Sequence, residues 1–302
     1  MSTEEISPDF ADLDLRPTGE AVALMADGQC AAAAAVAARA PEIAAAAEAA
    51  AGRLRESAGR LIYIGAGTSG RIAVQDGVEL VPTFNWDERR LVYVLAGGMA
   101  ALTASIEGAE DDPAAAQAAI AAAAPTADDV AIGVSASGRT PFTVAALRAA
   151  GAAGALTVGV ASNEGTPLLA AAAHPILLDT GPEILAGSTR MKAGTAQKIA
   201  LNLFSTALML RLGRVYKGLM VDMRLANRKL RERAAVMVGE IGGVDAASAA
   251  AALEQADGNV KLAALIAMGL EPERAVTLLK SAGGDLREAI DRLGMDQSSS
   301  SS

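Results

Sequence analysis

The stretch YIGAGTSGR could do chemistry because it combines closely spaced glycines with two hydroxyl side chains. Gly65, Gly67 and Gly70 have the G-x-G-x-x-G spacing of dinucleotide-binding loops. A dinucleotide site also needs an acidic residue at the end of the next strand, but that strand runs into VLAGGMAA, which has no carboxylate. With Thr68 and Ser69 at a helix N-terminus, the loop instead favours one phosphate monoester or a polar sugar. A strand-to-helix turn with purely structural glycines is the alternative.

A second loop, SASGRTPF, carries another set of polar side chains directly after a strand-like run. Ser135, Ser137, Arg139 and Thr140 offer hydroxyls and a guanidinium, and the loop leads into a predicted helix. Hydroxyls, backbone amides and a guanidinium together can hold a phosphate on an otherwise acidic protein. Two ordinary serine-rich turns are the alternative interpretation.

Five short β-type runs alternate with helical stretches and position these loops. The runs are RLIYIG (60–65), RLVYVLA (90–96), DVAIGVS (129–135), LTVGVAS (156–162) and PILLD (175–179). Buried strands separated by helices predict a parallel, doubly wound α/β sheet. With strand order 2-1-3-4-5, the first and third strands are neighbours, and their helices leave on opposite faces, so that both polar loops border one crevice.

Helices are predicted on both sides of this sheet region in the sequence. Two precede it between Thr18 and Ser57, a long one covers Ala193–Leu212, and another runs through LMVDMRLANRKLRERAAVMV. From about Gly239 the chain becomes all-helical, and LEQADGNVKLA aligns with LKSAGGDLREA at an offset of 26 residues. The echo predicts a small module like ubiquitin-associated helical domains, with chance similarity between alanine-rich helices as the alternative.

These patterns predict a division of the chain into four parts. We expect a mobile N-terminal arm (1–18), a sheet domain with its N-terminal helices (19–238), a helical domain (239–295) and a disordered serine-rich tail (296–302). The acidic N-terminus lacks the features of a secretory signal, and the alanine-rich stretches are only weakly hydrophobic. The sequence therefore predicts a cytoplasmic protein with no membrane partner.

Charge and composition exclude several classes of function. A net charge of −9 argues against nucleic acid, which would need a basic stripe. With one cysteine, Cys30, and one histidine, His174, the chain has no ordinary zinc site. We interpret Cys30 as a small core residue and His174 as structural. Any general acid or base is therefore a carboxylate, a lysine or a tyrosine.

Three motifs together, GAGTSGR, SASGRTPF and PEILAGSTRMKAGTAQK, resemble the signatures of sugar isomerase (SIS) domains. More narrowly, with DGVELVPTF and AGGMAALTASIEGAEDD, the chain is similar to the N-acetylmuramic acid 6-phosphate etherases and to the related glucokinase regulatory protein. The similarity spans roughly residues 41–230. It implies a three-layer αβα sandwich with a five-stranded parallel sheet and a small C-terminal helical domain.

The resemblance also implies which residues act and on what. Glu79 in DGVEL matches the family's proton donor, and Glu110 in EGAEDD its second active-site glutamate, the candidate base. The family reaction cleaves a lactyl ether from an amino-sugar phosphate, without metal or redox cofactor. This chain has Leu80-Val81 where family members often have Cys-Pro, so the shape of that wall is expected to differ. Without the resemblance, Glu110 belongs to an acidic run more simply interpreted as solvated.

The stretch STRMKAGTAQK places cations at the start of a predicted long helix. Cations there oppose the helix dipole unless an anion is near. This makes Ser188 and Lys192 candidate ligand-binding residues, with a basic face matched to acidic neighbours as the alternative.

The resemblance leaves three classes of function open: the etherase, a non-catalytic sugar-phosphate sensor, and an aldose–ketose isomerase of the same fold. Symmetric dimers are typical of the family. Glu79 lies about ten residues from Ser69 on one helix, or about 15 Å along its axis. We therefore expect a homodimer in which Glu79 serves the neighbouring subunit's site.

Overall fold

The structure, a computed structural model, describes residues 3–299, and side-chain surroundings as far as Gly294. It divides into two compact units. The first combines the residues up to Val78 with Asp87–Leu208, and the second combines Glu79–Trp86 with the residues from Met209 onward. The sequence-based boundary after residue 238 stays a prediction about domains.

Twelve α-helices are present in the described part of the chain. In chain order they are α1 (Thr18–Ala37), α2 (Ala40–Leu54), α3 (Gly67–Phe84), α4 (Pro113–Ala123), α5 (Pro141–Ala152), α6 (Pro167–Ala170), α7 (Lys192–Arg211), α8 (Arg228–Gly242), α9 (Ala246–Gln255), α10 (Val260–Ala267), α11 (Pro272–Ser281) and α12 (Leu286–Ser299). Proline occupies one of the first two positions of α2, α4, α5, α6 and α11, where the missing backbone N–H costs nothing.

The first unit is built on one parallel sheet whose strand order, β2-β1-β3-β4-β5, confirms the sequence prediction. Its strands are β1 (Leu61–Gly65), β2 (Leu91–Leu95), β3 (Val130–Val134), β4 (Leu156–Ala161) and β5 (His174–Leu177). Every residue of β1 and β3 is buried, whereas the edge strands β2 and β5 are only partly covered. Continuous apolar runs are typical of strands that are covered on both faces.

Alternate residues of β1 face the two helical layers of this αβα sandwich. Ile62 and Ile64 pack in a core cluster with residues of α4 and α5. Tyr63 points the other way, and its hydroxyl donates to Asp76 Oδ2 on α3 at 2.9 Å. The helices that follow β1 and β3 therefore leave on opposite faces, as the predicted crevice requires.

Helix α1 is more exposed than the sequence suggested. Among the described helices it is the only single one long and apolar enough to cross a membrane by composition, and only 11% of its apolar 18-residue segment is buried. The bent pair Arg228–Gly242 and Ala246–Gln255 passes the same test only when taken together. Cys30 lies exposed on α1, so the expectation that it fills the core is wrong. The helix buries only Ala32 and Val36, which leaves the positions around Cys30 outside.

The second unit is largely helical, but α8 begins later than the sequence predicted. The segment from Leu219 to Ala226 is not helical. Tyr216 and Leu219 form an isolated antiparallel bridge around a turn, in which Gly218 has φ +78°. Asn227 then caps α8 by accepting a hydrogen bond from Leu230 N at 2.9 Å. The turn and the cap override the helical propensity of the preceding residues.

The two aligned segments of the internal sequence repeat adopt the same local structure. Gly258 N donates to Leu253 O and Gly284 N to Leu279 O, each at 2.9 Å, and both glycines have positive φ. Buried Lys261 joins the copies, since its Nζ donates to Gly284 O at 2.7 Å and lies 2.6 Å from Asp222 Oδ2. Burial lowers the pKa of Lys261, an effect that Asp222 opposes. The final helix reaches Ser299, and residues 300–302 of the predicted tail lie outside the described residues.

Candidate active site

The first polar loop joins β1 to α3, and close packing accounts for two of its glycines. A Cβ on Gly65 would lie 2.7 Å from Gly70 Cα, and one on Gly70 would lie 2.6 Å from Leu95 Cδ2. Gly67 has open space beside it but adopts φ +50°, which side chains disfavour. The spacing that resembles a dinucleotide fingerprint therefore serves a tight strand-to-helix turn, with Thr68 and Ser69 in the first turn of the helix.

The second polar loop joins β3 to α5 and gathers three hydroxyls. Ser135 Oγ lies 2.9 Å from Thr140 Oγ1 and 3.3 Å from Ser137 Oγ. Ser135 Oγ and Ser137 Oγ also accept the backbone N–H groups of Gly138 and Arg139 at 3.1 and 3.2 Å. Thr140 is the N-cap of α5 but makes no side-chain capping bond. This hydroxyl cluster and the backbone N–H groups that follow Pro141 in the first turn of α5 are donors of the kind that can bind an anion.

Both loops line one cavity of about 380 Å³ in the first unit. Seven of the predicted binding residues lie on its wall: Gly67, Thr68, Ser69, Ser135, Ser137, Arg139 and Thr140. Glu110 and Asp111 line the same cavity. The tertiary structure therefore brings hydroxyls, a guanidinium and carboxylates together at the carboxyl ends of β1 and β3, as expected for this sheet topology.

A second cavity, of about 440 Å³, adjoins the first through shared lining residues, among them Gly67, Thr68 and Glu110. Its remaining wall comes from Arg71 on α3 and from the loop after β2, including Glu107. Arg71 fixes that loop, since its Nε donates to Ala101 O and its Nη2 to Ala104 O, both at 2.9 Å. The helix that carries the first polar loop thus also holds the segment that leads to Glu110.

The acidic run after this loop divides into different environments. Glu110 sits exposed on a 3₁₀ turn, Ala109–Asp111, where it reaches both cavities. Asp112 caps α4 by accepting from Ala115 N at 2.9 Å. The run is therefore not uniformly solvated, and Glu110 is the carboxylate best placed to meet a ligand.

Glu79 is exposed on α3. The described residues that line the two cavities include Glu110 but not Glu79. Ten residues of helix separate Glu79 from Ser69, about 15 Å along the axis. Its assignment to the catalytic site stays a prediction.

The start of α7 carries its own anion. The buried Glu183 accepts Lys192 N and Ala193 N, each at 2.9 Å, one on each carboxylate oxygen. Lys192 Nζ donates to Pro182 O at 2.9 Å, and the side chain is buried. Glu183 therefore supplies the negative charge that the helix dipole favours. Ser188 and Lys192 are not among the described lining residues of either cavity, although Thr189 is, and their binding role stays a prediction.

Glu4 and Arg71 are among the lining residues to which the sequence analysis gave no role. Glu4 belongs to the N-terminal arm, which was expected to be mobile and for which no site residue was predicted. Arg71 ends the motif GAGTSGR, so its position four residues after Gly67, on the same helical face, was a usable signal. Nothing in the local sequence links Glu4 to loops more than 60 residues away.

A buried carboxylate lies elsewhere in this unit. Asp76 accepts hydrogen bonds from Tyr63, from Asn202 Nδ2 at 2.7 Å and from Ser205 Oγ at 3.0 Å. Burial raises the pKa of Asp76, and these hydrogen bonds oppose that effect. The group ties α3 to α7 and does not line the cavities. Among the described residues, no group of three or more His, Cys, Asp and Glu side chains could hold a metal ion.

Comparison with known proteins agrees with this arrangement. The model of the glucokinase regulatory protein N-terminal SIS domain matches residues 42–151, which contain both polar loops and Glu110. The sheet, its loops and this match define a SIS-domain protein. An N-acetylmuramic acid 6-phosphate etherase of Deinococcus radiodurans is 51% identical over 289 residues, which cover 95% of this chain and 94% of the relative.

Two further proteins of the same name are similar over nearly their whole lengths. That of Streptomyces coelicolor is 48% identical, with 96% of this chain and 93% of the relative covered. That of Rubrobacter xylanophilus is 47% identical, with 96% of each chain covered. The chain belongs to the N-acetylmuramic acid 6-phosphate etherase family.

Proposed function

We propose that this chain is a carbon–oxygen lyase that cleaves the D-lactyl ether of N-acetylmuramic acid 6-phosphate, giving N-acetylglucosamine 6-phosphate and D-lactate. Family membership supports the activity. The observation that carries it is the cavity in which two hydroxyl-bearing loops and Glu110 meet. Such a lyase serves amino-sugar catabolism and the recycling of peptidoglycan.

The substrate's phosphate would bind the hydroxyl cluster. Ser137 and Thr140 lie within one hydrogen-bonded group, and the first backbone N–H groups of α5 come after Pro141, which has none. Neutral donors and Arg139 can hold a dianion without a large local excess of positive charge. Binding there would place the sugar ring against the wall formed by Glu110 and Asp111.

Elimination followed by addition of water accounts for two carboxylates. In the open-chain aldehyde, the carbonyl group acidifies the proton on C2. A base removes this proton, the electron pair forms the C2–C3 double bond, and the C3–O bond to lactate breaks as an acid protonates the departing oxygen. Water then adds its oxygen to C3, and a proton returns to C2. The sum is one water consumed for one lactate released, with no oxidant or metal involved.

We assign the base to Glu110 and the acid to Glu79. Glu110 lines both cavities, next to the phosphate-binding loops. Glu79 matches the family's proton-donor glutamate. Its distance from Ser69 along α3 favours a role in the active site of the neighbouring subunit. The proposed enzyme is therefore a homodimer with shared sites.

Exposed apolar surface in the first unit supports the dimer. Helix α1 is largely uncovered, with Val22 53% exposed, and Leu203 on α7 is 45% exposed. Thr195 on α7 donates to Gln29 on α1, so the two helices adjoin. A second copy of the chain would cover this surface. We assign the apolar surface of α1 to that contact rather than to a membrane, and we place the enzyme in the cytoplasm.

Release of D-lactate tests the activity directly. A coupled lactate assay is run on hexosamine 6-phosphates with and without the lactyl ether. We expect lactate only from N-acetylmuramic acid 6-phosphate. Interconversion of hexose 6-phosphates would instead identify an isomerase, and tight binding without turnover would identify a sensor.

Isotopes separate the two glutamates. In deuterated water, Glu79→Gln should release almost no lactate yet place deuterium at C2 of recovered substrate, because only the acid is lost. Glu110→Gln should do neither. In oxygen-18 water the unaltered enzyme should put the heavy oxygen on C3 of the sugar, and heavy oxygen in lactate would contradict elimination.

Subunit exchange tests the shared site. Glu79→Gln and Glu110→Gln proteins, each inactive alone, should regain activity when mixed, because every mixed dimer contains one site with both carboxylates and one with neither. Exchange is verified with differently tagged chains. No recovery after verified exchange would place both glutamates on one chain.

A further inference from the structure

The N-terminal arm reaches the cavity in which the two polar loops meet. Glu4 lines that cavity together with Ser137 and Thr140. A Cβ built on Gly187 would lie 3.8 Å from Glu4 Oε2, so the carboxylate adjoins the segment before α7 as well. The proposed reaction scheme gives this carboxylate no role.

The arm is held at this place by specific contacts. Thr3 is fully buried, and its backbone N–H donates to Asn163 Oδ1 at 2.9 Å. Asn163 Nδ2 donates in return to Thr3 Oγ1 at 3.0 Å. The same Nδ2 lies 3.4 Å from Ala136 O and Ser137 O. One buried amide after β4 therefore joins the arm to the backbone of the hydroxyl-bearing loop.

The chemistry of a carboxylate determines what it can recognise. At neutral pH it only accepts hydrogen bonds, and a phosphate dianion also presents only acceptors. Glu4 therefore cannot be a phosphate ligand. It can accept from the groups of an amino sugar that donate, namely ring hydroxyls and the amide N–H.

We propose that Glu4 is a sugar-binding residue, whose carboxylate accepts hydrogen bonds from hydroxyl or amide N–H groups of the amino sugar while the hydroxyl cluster holds the phosphate. Asn163 is the positioning residue that keeps Thr3 and Glu4 at the cavity. This assignment rests on the proposed function, because it names the part of the substrate that the arm recognises. It makes the N-terminal arm a determinant of specificity.

The test compares Glu4→Ala with Glu5→Ala, which removes the same charge from the next, exposed residue outside the cavity lining. The probes are N-acetylglucosamine 6-phosphate and inorganic phosphate, with affinities measured by calorimetry. Because Glu4→Ala removes a hydrogen bond to a charged group, we expect the affinity for the sugar phosphate to fall about 10-fold or more. Inorganic phosphate should bind as well as before or more tightly, because a negative charge has left the cavity. Glu5→Ala should change neither affinity.

Asn163→Ala supplies the second variant. It should weaken binding of the sugar phosphate and raise KM more than it lowers kcat. The reason is that the arm is released while Glu110 stays in place. Melting temperatures are compared throughout, and the conservative variant Glu4→Asp should recover part of the lost affinity.

Several results would overturn the assignment. Equal affinities for Glu4→Ala and Glu5→Ala would show that the arm does not contact the sugar. Equal changes for both probes would show a general electrostatic effect. If the unaltered protein releases lactate and Glu4→Ala behaves as Glu5→Ala does, only this inference fails. If the unaltered protein releases no lactate, the proposed function fails first, and the sugar phosphate affinities alone decide the role of Glu4.

Discussion

The sheet in the first unit has an amino-terminal and a carboxyl-terminal edge, where its strands begin and end. The polar groups at these two edges are satisfied in opposite ways. At the amino-terminal edge, Asp129 accepts Arg60 N and Arg60 Nη2, each at 2.7 Å, and Thr126 N at 2.8 Å. At the carboxyl-terminal edge, Ser135, Ser137 and Thr140 contact mainly one another and the backbone of their own loop. The first edge has paired its charges internally, whereas the second presents neutral donors to a cavity.

Within one sheet, the polar groups at the amino-terminal edge therefore contribute to stability, and those at the carboxyl-terminal edge are available for binding. Other guanidinium groups at the amino-terminal edge also bond to backbone carbonyls, as Arg90 does with Gly59 O at 2.6 Å and Leu54 O at 3.1 Å. Groups that are fully satisfied inside the protein have no capacity left for a ligand. We therefore expect substitutions at the two edges to affect different measurements.

The largest effect is expected at the carboxyl-terminal edge, from Glu110→Gln. Loss of a general base should lower kcat by about 10²- to 10⁴-fold. The melting temperature should stay unchanged, because Glu110 is exposed. Asp112→Asn is the matched control, since Asn also caps a helix well, and it should keep kcat close to that of the unaltered enzyme. Equal losses in both variants would contradict the assignment of Glu110.

At the amino-terminal edge, Asp129→Asn should reduce stability instead of binding. Removing one partner of a buried ion pair costs about 3–5 kcal/mol, and we expect the lower end because the Arg60 side chain is 25% exposed. Urea unfolding measures the change in the free energy of unfolding. KM measured under conditions where the variant is folded should be unchanged. A raised KM at unchanged stability would reverse the comparison.

A smaller effect is expected from Ser137→Ala. One hydrogen bond to a charged phosphate contributes about 1.5–3 kcal/mol, so KM should rise about 10- to 100-fold with the fold intact. Ser57→Ala is the control at the opposite edge, where Ser57 Oγ donates to Arg53 O at 2.6 Å. That variant should leave KM unchanged. An unaltered KM in Ser137→Ala at an unaltered melting temperature would remove this residue from the phosphate site.

The smallest effect is a pH dependence of stability. Burial alone would raise the pKa of Asp129, but the hydrogen bonds from Arg60 and Thr126 outweigh it and hold the pKa below its usual range. A lowered folded pKa stabilises the protein above the pKa of the unfolded chain, about 3.9, and this contribution is lost as the pH falls further. The stability difference between unaltered protein and Asp129→Asn should therefore shrink below about pH 4. A stability difference that grows below about pH 4 would mean that folding raises the pKa of Asp129 instead of lowering it.

Local patterns in the sequence were enough to predict the sheet and the polar residues at its carboxyl-terminal edge. Apolar runs identified the five strands, and their alternation with helices indicated a parallel, doubly wound sheet, for which the order 2-1-3-4-5 was assumed; the structure has that order. The two polar loops follow neighbouring strands, so their meeting followed from topology alone. The short helix–turn–helix echo was also visible, because helix periodicity and turn glycines are local signals.

Which distant groups meet depends on tertiary packing, which local sequence patterns do not encode. Glu4 reaches the cavity because Thr3 pairs with Asn163, 160 residues away, and no local pattern encodes such a contact. The sequence predicted that Lys192 needs an external anion, whereas the structure places the Glu183 carboxylate of the same chain at the first N–H groups of α7. Cys30 was expected in the core and lies on the uncovered side of α1. Propensity and spacing predicted most of the helices and strands, residues 219–226 being an exception, whereas burial and partners depend on which surfaces pack together.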